Sequence, residues 1–234
     1  SWEMSMDGTN SVAQPLLDCR RLGAIAIALL NGCADPTAPV TLGKFQSVTT
    51  GSSYSCGLTT TGAAYCWGDN LDGNVGDGTQ ENRFVPTAVI GGLTFQNMAV
   101  GRATCGLTAT GSAYAQLGDG TTTPHLTPTA VGGGLPFKAL AVGFAHTCGI
   151  VPTGAAYCWG DNSVGQMGDG TVTNRPTPVA VSGGLTFTSL AAGIDHTCGT
   201  TPSGVAYCWG ANPGAELGDG TTTNRASPVA VRSP

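Results

Sequence analysis

Six of the nine cysteines stand out in this 234-residue chain because they recur in pairs with one spacing. The two members of each pair lie ten positions apart, with a short glycine-containing turn midway between them. A β-hairpin centred on that turn places the two cysteines opposite one another, with Cα atoms about 4.5–5.5 Å apart, a distance that a disulfide tolerates. The spacing therefore predicts three disulfides and an oxidising compartment. The pairs are Cys56 and Cys66, Cys148 and Cys158, and Cys198 and Cys208.

Two other roles are open to these cysteine pairs. Reduced cysteines would serve as small buried hydrophobic residues. A zinc site fits less well, because the pairs are not Cys-x-x-Cys motifs and fall in separate copies of a repeat.

Cys105 has no partner at this spacing. The segment Tyr114-Ala115-Gln116-Leu117 replaces a longer passage of the repeat, and seven residues are missing there. Cys105 lies 13 positions before the Gly-Asp-Gly motif that starts at Gly118, whereas the first cysteine of each pair lies 20 positions before that motif. We expect Cys105 to be a free thiol or to pair outside its own hairpin.

Two histidines occupy the same position in successive copies and are weak candidates for acid–base chemistry. They are His146 and His196, and Asp195 precedes the second of them. A serine-nucleophile site would also need a Gly-x-Ser-x-Gly turn, which the sequence lacks. A histidine that recurs once per repeat is typical of a hydrogen-bonding residue at a strand end. A hydrolase or lyase with an acidic or histidine site in a central channel is an alternative, although no spacing singles out a carboxylate pair.

The aspartates of the first copy resemble a calcium loop at first sight. They are Asp69, Asp72 and Asp77. Calcium takes six to eight oxygen ligands, and the later copies lose the middle carboxylate. An aspartate before a glycine more often forms a turn, so we expect no metal and no cofactor.

The composition argues against nucleic acid as a partner. Charged residues make up 10% of the chain, the formal net charge is −5, and the nine lysines and arginines are scattered. A nucleic-acid-binding protein is expected to carry a basic face.

A unit of 40 to 50 residues repeats along most of the chain. The unit Phe144–Val181 returns as Ile194–Val231, as Ser52–Val89 and, shortened, as Arg102–Val131. Each copy holds four short apolar or alternating segments separated by glycine turns, which indicates four strands. In the best-matched copies the first strand is predicted over Phe187–Ala192 and the outer strand over Thr177–Val181. Such a period is typical of a propeller or array.

The sequence thus predicts an all-β, β-propeller-like array of four-stranded blades. The repeat domain covers residues 44–234, with modules at about 44–92, 93–134, 135–184 and 185–234. Blades of this size cannot bury their own faces, so neighbouring blades must stack.

Tryptophan and arginine recur once per copy at fixed positions. The tryptophans follow the second cysteine of each pair, where they should pack against the disulfide and the next blade or, alternatively, form an exposed binding face. The arginines should either line a face or hold blades together. Recognition is expected first in the variable loops. The residues are Trp67, Trp159 and Trp209, and Arg83, Arg175 and Arg225.

Residues 1–43 fall outside the repeat. Arg20-Arg21, the apolar run Leu22–Leu30 and the small residues before Cys33 resemble a bacterial lipoprotein export signal. The resemblance implies cleavage before Cys33 and attachment of a lipid to it. The alternative is a helical extension of the mature domain, with Cys19 and Cys33 paired.

The repeat resembles that of the regulator-of-chromosome-condensation family. The matching residues are His-Thr-Cys-Gly at 146–149, Gly-Ala-Ala-Tyr-Cys-Trp-Gly-Asp-Asn at 154–162 and Gly-Gln-Met-Gly-Asp-Gly-Thr at 165–171. The resemblance covers about 190 of the 234 residues. It implies four-stranded blades around a central channel, usually seven of them. The cysteine pairs are similar to those of an exported bacterial branch.

The family implies binding of other proteins through the loop-bearing faces. We therefore expect an exported or surface-attached protein-binding module that is secreted, periplasmic or at the bacterial cell surface. Membrane contact is expected only through the N-terminal lipid anchor. The chain has four modules in place of seven. It could therefore form a partial ring, a small ring or a fragment of a larger ring. An open array exposes edge strands, so a homo-oligomer or a self-assembling structural protein is a further alternative.

Overall fold

The computed structural model describes residues 44–115 and 117–232. These residues belong to one compact unit, Leu42–Pro234. The predictions of an export signal, of a lipid at Cys33 and of a Cys19–Cys33 pair lie outside the described residues.

The described residues form sixteen short strands and one 3₁₀ turn, Gly132–Gly134. Their order along the chain repeats four times. The strands are β1 Phe45–Thr50, β2 Tyr54–Thr59, β3 Ala64–Gly68, β4 Arg83–Ala88, β5 Asn97–Val100, β6 Thr104–Leu107, β7 Ala113–Ala115, β8 Thr129–Ala130, β9 Ala139–Val142, β10 His146–Ile150, β11 Ala156–Gly160, β12 Arg175–Ala180, β13 Ser189–Ala192, β14 His196–Thr200, β15 Ala206–Gly210 and β16 Arg225–Ala230.

Each set of four consecutive strands forms one antiparallel sheet in chain order, β1 to β4, β5 to β8, β9 to β12 and β13 to β16. We call these sheets blades 1 to 4. The prediction of an all-β array of four-stranded blades is confirmed. Within a blade, every strand after the first pairs with the one before it. Turns of a few residues join the first three strands of each blade and favour antiparallel neighbours.

Two strand boundaries differ from those predicted. The first strand of blade 4 begins at Ser189 rather than Phe187, because the Phe187 ring is almost fully buried and its N–H bonds the carbonyl of Gly154 in blade 3. The outer strand of blade 3 begins at Arg175 rather than Thr177. Its pairing with β11 is interrupted at Trp159, which is skipped in the register between Cys158 and Gly160.

Consecutive blades pack side by side through their first strands, β1 on β5, β5 on β9 and β9 on β13. The glycine turns after these strands lie against one another. A methyl group added at Gly143 would come within 2.6 Å of the carbonyl oxygen of Gly193. Glycine is required here because the main chains of neighbouring blades approach so closely.

The buried core is divided among the interfaces between blades. One cluster joins Cys105 and Leu107 of blade 2 to Phe137 and Trp159 of blade 3. A second cluster joins Ile150 of blade 3 to residues of blade 4. Each sheet therefore buries its faces against its neighbours, as expected of a repeat array. None of the helical segments in the described residues is long and apolar enough to span a membrane.

Candidate protein-interaction face

The second and third strands of blades 1, 3 and 4 form hairpins in which the paired cysteines lie directly opposite one another. The structure contains the disulfides Cys56–Cys66, Cys148–Cys158 and Cys198–Cys208, each with a Cα–Cα distance of 4.1 Å. This is slightly shorter than the spacing expected from the sequence. Each bridge joins the two central strands of its sheet, so it stabilises the middle of the blade.

Blade 2 departs from this pattern. Cys105 lies opposite Ala115 in the hairpin of β6 and β7, and its thiol is free and buried. The sulfur lies 3.8 Å from the hydroxyl of Thr147 in blade 3. Burial raises the pKa of the Cys105 thiol to about 12, with the Thr147 contact opposing it. Because the thiolate is the reactive form, Cys105 is a packing residue rather than a nucleophile.

A buried asparagine organises the loop between the third and fourth strands. In blade 3, the Nδ2 of Asn162 donates to the carbonyl of Thr171 at 3.0 Å, and its Oδ1 accepts from the N–H of Met167 at 3.0 Å. Asn70 and Asn212 make the same contacts in blades 1 and 4. All three asparagines are fully buried. The loop is therefore held from inside by one amide.

The aspartates of the Gly-Asp-Gly motifs complete this loop. Asp169 Oδ1 accepts from the N–H of Thr171 at 2.9 Å, and its Oδ2 accepts from Nε of Arg175 at 3.1 Å. Burial would raise the pKa of Asp169, but the hydrogen bonds from Thr171 and Arg175 outweigh it, and the pKa is lowered. The aspartate is thus ionised and acts as a turn former.

The recurring arginines pair with these aspartates inside their own blades. Arg83 bonds Asp77, Arg175 bonds Asp169, and Arg225 bonds Asp219 at 2.8 Å. They hold a loop to the outer strand of the same blade, rather than joining two blades as one interpretation of the sequence proposed.

Blade 2 carries a histidine at the arginine position, which the sequence analysis missed. Nε2 of His125 lies 2.8 Å from Oδ2 of Asp119. Six positions separate these two residues, as in each aspartate–arginine pair, and this spacing was the available signal. Hydrogen bonds from the N–H and hydroxyl of Thr121 and from His125 lower the pKa of Asp119 to about 2, against an opposing effect of burial.

The three aspartates that resembled a calcium loop have different partners. Asp77 bonds Thr79 and Arg83, Asp72 pairs with Arg102 of blade 2 at 3.3 Å, and Asp69 lies 3.5 Å from the hydroxyl of Ser53. Within residues 44–115 and 117–232, no group of three or more His, Cys, Asp or Glu side chains could hold a metal ion.

The tryptophans differ in burial from blade to blade. Trp159 and Trp209 are 2% and 0% exposed, whereas Trp67 is half-buried. The indole of Trp209 lies 5.7 Å from the Phe187 ring and against Gly168 of the preceding blade. Trp159 packs in the same way on Phe137 and Gly118. These two rings are interface residues between blades, and neither presents an open binding surface.

His146 is 3% exposed, and its hydrogen bonds determine its tautomer. The Thr197 hydroxyl donates to the carbonyl of Gln166 at 3.0 Å, so it accepts from Nε2 of His146 at 2.8 Å. Nδ1 therefore carries a lone pair, and it has no hydrogen-bond partner in the described part of the chain. Burial, followed by the nearby His196, lowers the pKa of His146 to about 4.

Three exposed side chains follow the glycine turns on successive blades. Arg102 follows Gly101, Phe144 follows Gly143 and Ile194 follows Gly193. The N–H of Arg102 bonds the carbonyl of Gly143 at 3.4 Å, and the N–H of Phe144 bonds that of Gly193 at 3.3 Å. Adjacent blades therefore hold the three side chains side by side. We call Arg102, Phe144 and Ile194 the turn ridge.

The turn ridge is apolar and aromatic, with one cation. Phe144 is 44% exposed and Ile194 is 67% exposed. The guanidinium of Arg102 lies 5.1 Å from the centre of the Phe144 ring, a cation–π contact, and its pairing with Asp72 brings the loop of blade 1 alongside. The sequence analysis predicts recognition in the variable loops and misses the ridge. The signal was a variable residue after each glycine turn, occupied in the first copy by Ser52.

Comparison with known proteins identifies the class of this array. Two models of the regulator of chromosome condensation (RCC1) repeat match the chain, one at residues 61–110 and 153–199 and the other at residues 45–74, 137–166 and 187–213. The chain belongs to the RCC1 repeat family, and its blades are those of a β-propeller. No curated protein sequence gives a significant match.

Solved structures support the same fold. Human WBSCR16 matches with a TM-score of 0.75 and 23% identity, covering 84% of this chain and 55% of its own. Yeast RCC1 (Prp20) matches with a TM-score of 0.70 and 17% identity, covering 83% of this chain and 50% of its own. A second structure of Prp20p, from Saccharomyces cerevisiae, matches with a TM-score of 0.70 and 16% identity, covering 84% of this chain and 52% of its own. The chain spans about half the length of these proteins.

Proposed function

We propose that this protein is an exported protein-binding module whose partner docks on the turn ridge. The observation that carries the proposal is the exposure of Phe144 and Ile194 on adjacent blades, with Arg102 stacked over the Phe144 ring. Aromatic residues and arginine are enriched at protein–protein interfaces. A polar or charged small molecule would find few hydrogen-bonding groups on the ridge itself.

The scaffold beneath the ridge favours recognition without rearrangement. The ridge residues follow glycine turns that pack main chain against main chain, and hydrogen bonds between blades hold Arg102 and Phe144. Binding residues are often carried by loops on a rigid scaffold. A preorganised surface loses less conformational entropy when it binds.

The fold relatives favour a protein as the partner. Yeast RCC1 (Prp20) has been crystallised bound to Kap60, and Prp20p has been characterised for its binding to Gsp1p and histones. Those partners belong to Prp20. For this chain the relatives support the general role of a protein-interacting module, and the turn ridge supplies the location.

The three disulfides support export, because such bonds persist in oxidising compartments. Attachment of a lipid at Cys33, a bacterial cell-surface location and a homo-oligomer remain predictions from the sequence. Intact mass before and after reduction tests the redox part. Protein recovered from its native compartment should gain six hydrogens on reduction, and a gain of fewer than six would contradict the three bridges.

The docking surface is tested by affinity capture with a matched pair of variants. The double variant Phe144→Ser and Ile194→Ser removes the apolar part of the ridge. The control Val172→Ser removes a side chain that is 62% exposed elsewhere in blade 3. Proteins retained by the wild type and by the Val172→Ser control should be lost from the double variant. Equal retention by all three proteins would overturn the proposal.

A further inference from the structure

A cavity of about 260 Å³ opens beside the turn ridge, between blades 2 and 3. Arg102 and Phe144 belong both to the ridge and to the cavity wall. Two buried residues, Cys105 and Thr147, also line the cavity. A partner that covers the ridge would therefore also cover the cavity mouth.

The other interfaces between blades show what fills the equivalent space. Between blades 3 and 4, the hydroxyl of Thr197 donates to the main-chain carbonyl of Gln166 at 3.0 Å. Between blades 1 and 2, the hydroxyl of Thr104 donates to the carbonyl of Asn74 at 2.8 Å. Asn74 and Gln166 hold the same position in their loops, four residues after the buried asparagine. In both interfaces the main chain of the preceding blade thus satisfies a buried threonine.

Thr147 is the equivalent threonine of blade 3, and it lacks the corresponding carbonyl. Blade 2 is seven residues shorter in this loop. A second polar partner is also missing. The hydroxyl of Tyr54 lies 2.9 Å from that of Thr104, and Nε2 of His146 lies 2.8 Å from that of Thr197. The residue at this position in blade 2 is Ala103.

The orientation of the Thr147 hydroxyl follows from its remaining contact. It lies 3.8 Å from the sulfur of Cys105, just as the hydroxyl of Thr197 lies 3.9 Å from the sulfur of Cys148. The two hydroxyls therefore point in the same direction, toward the preceding blade. Thr147 is 5% exposed, and its hydroxyl has no oxygen or nitrogen partner among the described residues. A buried donor without an acceptor is costly, so an occupant with a carbonyl oxygen would be favoured.

The wall also leaves room for a main chain. A methyl group added at Gly210 would lie 3.1 Å from the Cα of Gln166, so the loop of blade 3 passes close to this glycine. Gly160 is the counterpart of Gly210 in blade 3, and it lines the cavity. The space against Gly160 therefore corresponds to the space that the main chain of Gln166 occupies in the next interface.

We propose that a loop of the protein partner inserts into this cavity and that one of its main-chain carbonyls accepts a hydrogen bond from the Thr147 hydroxyl. The inserted loop takes the place that the loop of blade 3 takes against blade 4. This step rests on the proposed protein-binding function. An apolar cavity of about 150 Å³ holds benzene in another protein, so the larger volume here admits a short stretch of main chain.

A peptide copied from blade 3 tests the cavity without the partner. The probe is acetyl-Asn-Ser-Val-Gly-Gln-N-methylamide, the sequence of residues 162–166, because Gln166 supplies the carbonyl in the filled interface. It is titrated into the ¹⁵N-labelled 234-residue protein and followed by NMR. We expect saturable shifts of the Thr147 and Gly160 amides and none of the Thr197 amide, whose interface is filled. No saturable shift, or equal shifts of Thr147 and Thr197, would overturn the proposal.

The hydrogen bond is tested from both sides. Thr147→Val removes the hydroxyl and keeps the shape of the side chain, so the peptide should bind about tenfold more weakly. A peptide with sulfur in place of the glutamine carbonyl oxygen should also bind wild type more weakly, because sulfur is a poorer acceptor. Ser55→Val, at the same module position in blade 1, is the matched control and should bind as wild type does. Equal binding by wild type and a folded Thr147→Val protein would contradict the proposal.

Two further measurements identify the occupant. A variant with Trp-Gly-Asp-Asn-Ser-Val-Gly inserted between Ala115 and Gln116 restores the missing length of blade 2 and should no longer bind the peptide. Shifts that persist in this folded variant would place the peptide elsewhere and contradict the proposal. N-methylacetamide carries the carbonyl without a chain and should bind more weakly than the peptide. Equally tight binding would show that the cavity takes a small amide, and the partner loop would be wrong.

The two proposals fail separately. If the peptide binds in the cavity but the ridge variants retain their protein partners, the docking surface is wrong and the carbonyl site stands. If the ridge variants lose their partners but the peptide does not bind, the docking surface stands and the carbonyl site is wrong.

Discussion

Cys105 lies directly opposite Ala115 across the hairpin of blade 2, in the register that joins cysteines in the other three blades. The backbone is thus already arranged for a fourth disulfide, but Ala115 stands where the second cysteine would be. Ala115→Cys should form a bond to Cys105 and stabilise the protein by about 3 kcal/mol, since it closes a loop of about ten residues. Chemical denaturation with and without reductant measures the difference. Failure of the bond to form under oxidising conditions would show that blade 2 has a different register.

The contact between Trp209 and Gly168 predicts a specific cost for a methyl group at the blade interface. Gly168 has φ +71°, and a Cβ there would lie 2.7 Å from the indole Nε1 of Trp209. Gly184 has φ +63° and nothing within 4 Å of an added Cβ. Gly184→Ala should therefore lose only the stability that a positive φ costs a residue with a side chain. Gly168→Ala should be the more destabilising variant by about 1–3 kcal/mol, measured by urea unfolding. Equal losses would mean that Trp209 does not pack on blade 3.

Asn162 should contribute more to the free energy of unfolding than its exposed hydrogen-bond partner Asn174. Asn162→Ala removes the amide that bonds the Thr171 carbonyl and the Met167 N–H, and it leaves that buried N–H without its acceptor. We expect a loss of about 3 kcal/mol, against about 1 kcal/mol for Asn174→Ala, which removes one bond to the Asn162 N–H. The two midpoints of urea unfolding give the comparison. A larger loss for Asn174→Ala would contradict the central role of the buried amide.

His146 predicts a pH dependence of stability with a defined sign. Its pKa is lowered from 6.5 to about 4 in the folded protein, mainly by burial, so between these values the unfolded chain binds a proton that the folded chain does not. Stability should fall as the pH drops from about 6.5 to about 4, by up to about 3 kcal/mol. The variant His146→Gln should lack this part of the loss.

The measurement is the difference in unfolding free energy between wild type and His146→Gln at several pH values. That difference should be constant above pH 7, where this histidine is neutral in both states. A difference that stays constant down to pH 4 would show that His146 titrates normally.

Much of the fold could be predicted because the repeat constrains it strongly. Cys148 and Cys158 lie equally far from the middle of the turn between them, which predicts that they face each other across the hairpin. The structure has that register. The alternating apolar pattern predicts a strand that includes Phe187, but the contacts of Phe187 with the preceding blade prevent it from pairing. Packing between blades was the deciding effect, and a single copy of the repeat does not contain it.

The candidate face was harder to predict. Arg102, Phe144 and Ile194 have unlike chemistry and lie 42 and 50 residues apart. They come together because the glycine turns of adjacent blades stack. The missing segment of blade 2 was visible in the sequence, but its consequence, a cavity beside those residues, depends on how blade 3 packs against blade 2.

Site-directed photo-crosslinking tests the central claim, protein binding through the turn ridge, most directly. A photoreactive phenylalanine analogue is placed at Phe144 in one protein and at Val172, which is 62% exposed, in a second. Both proteins are irradiated with material from the compartment to which the protein is exported. We predict a discrete protein adduct from position 144 that is absent from position 172 and is suppressed by excess unlabelled wild type. Identical adducts from both positions, or none from position 144, would contradict the account.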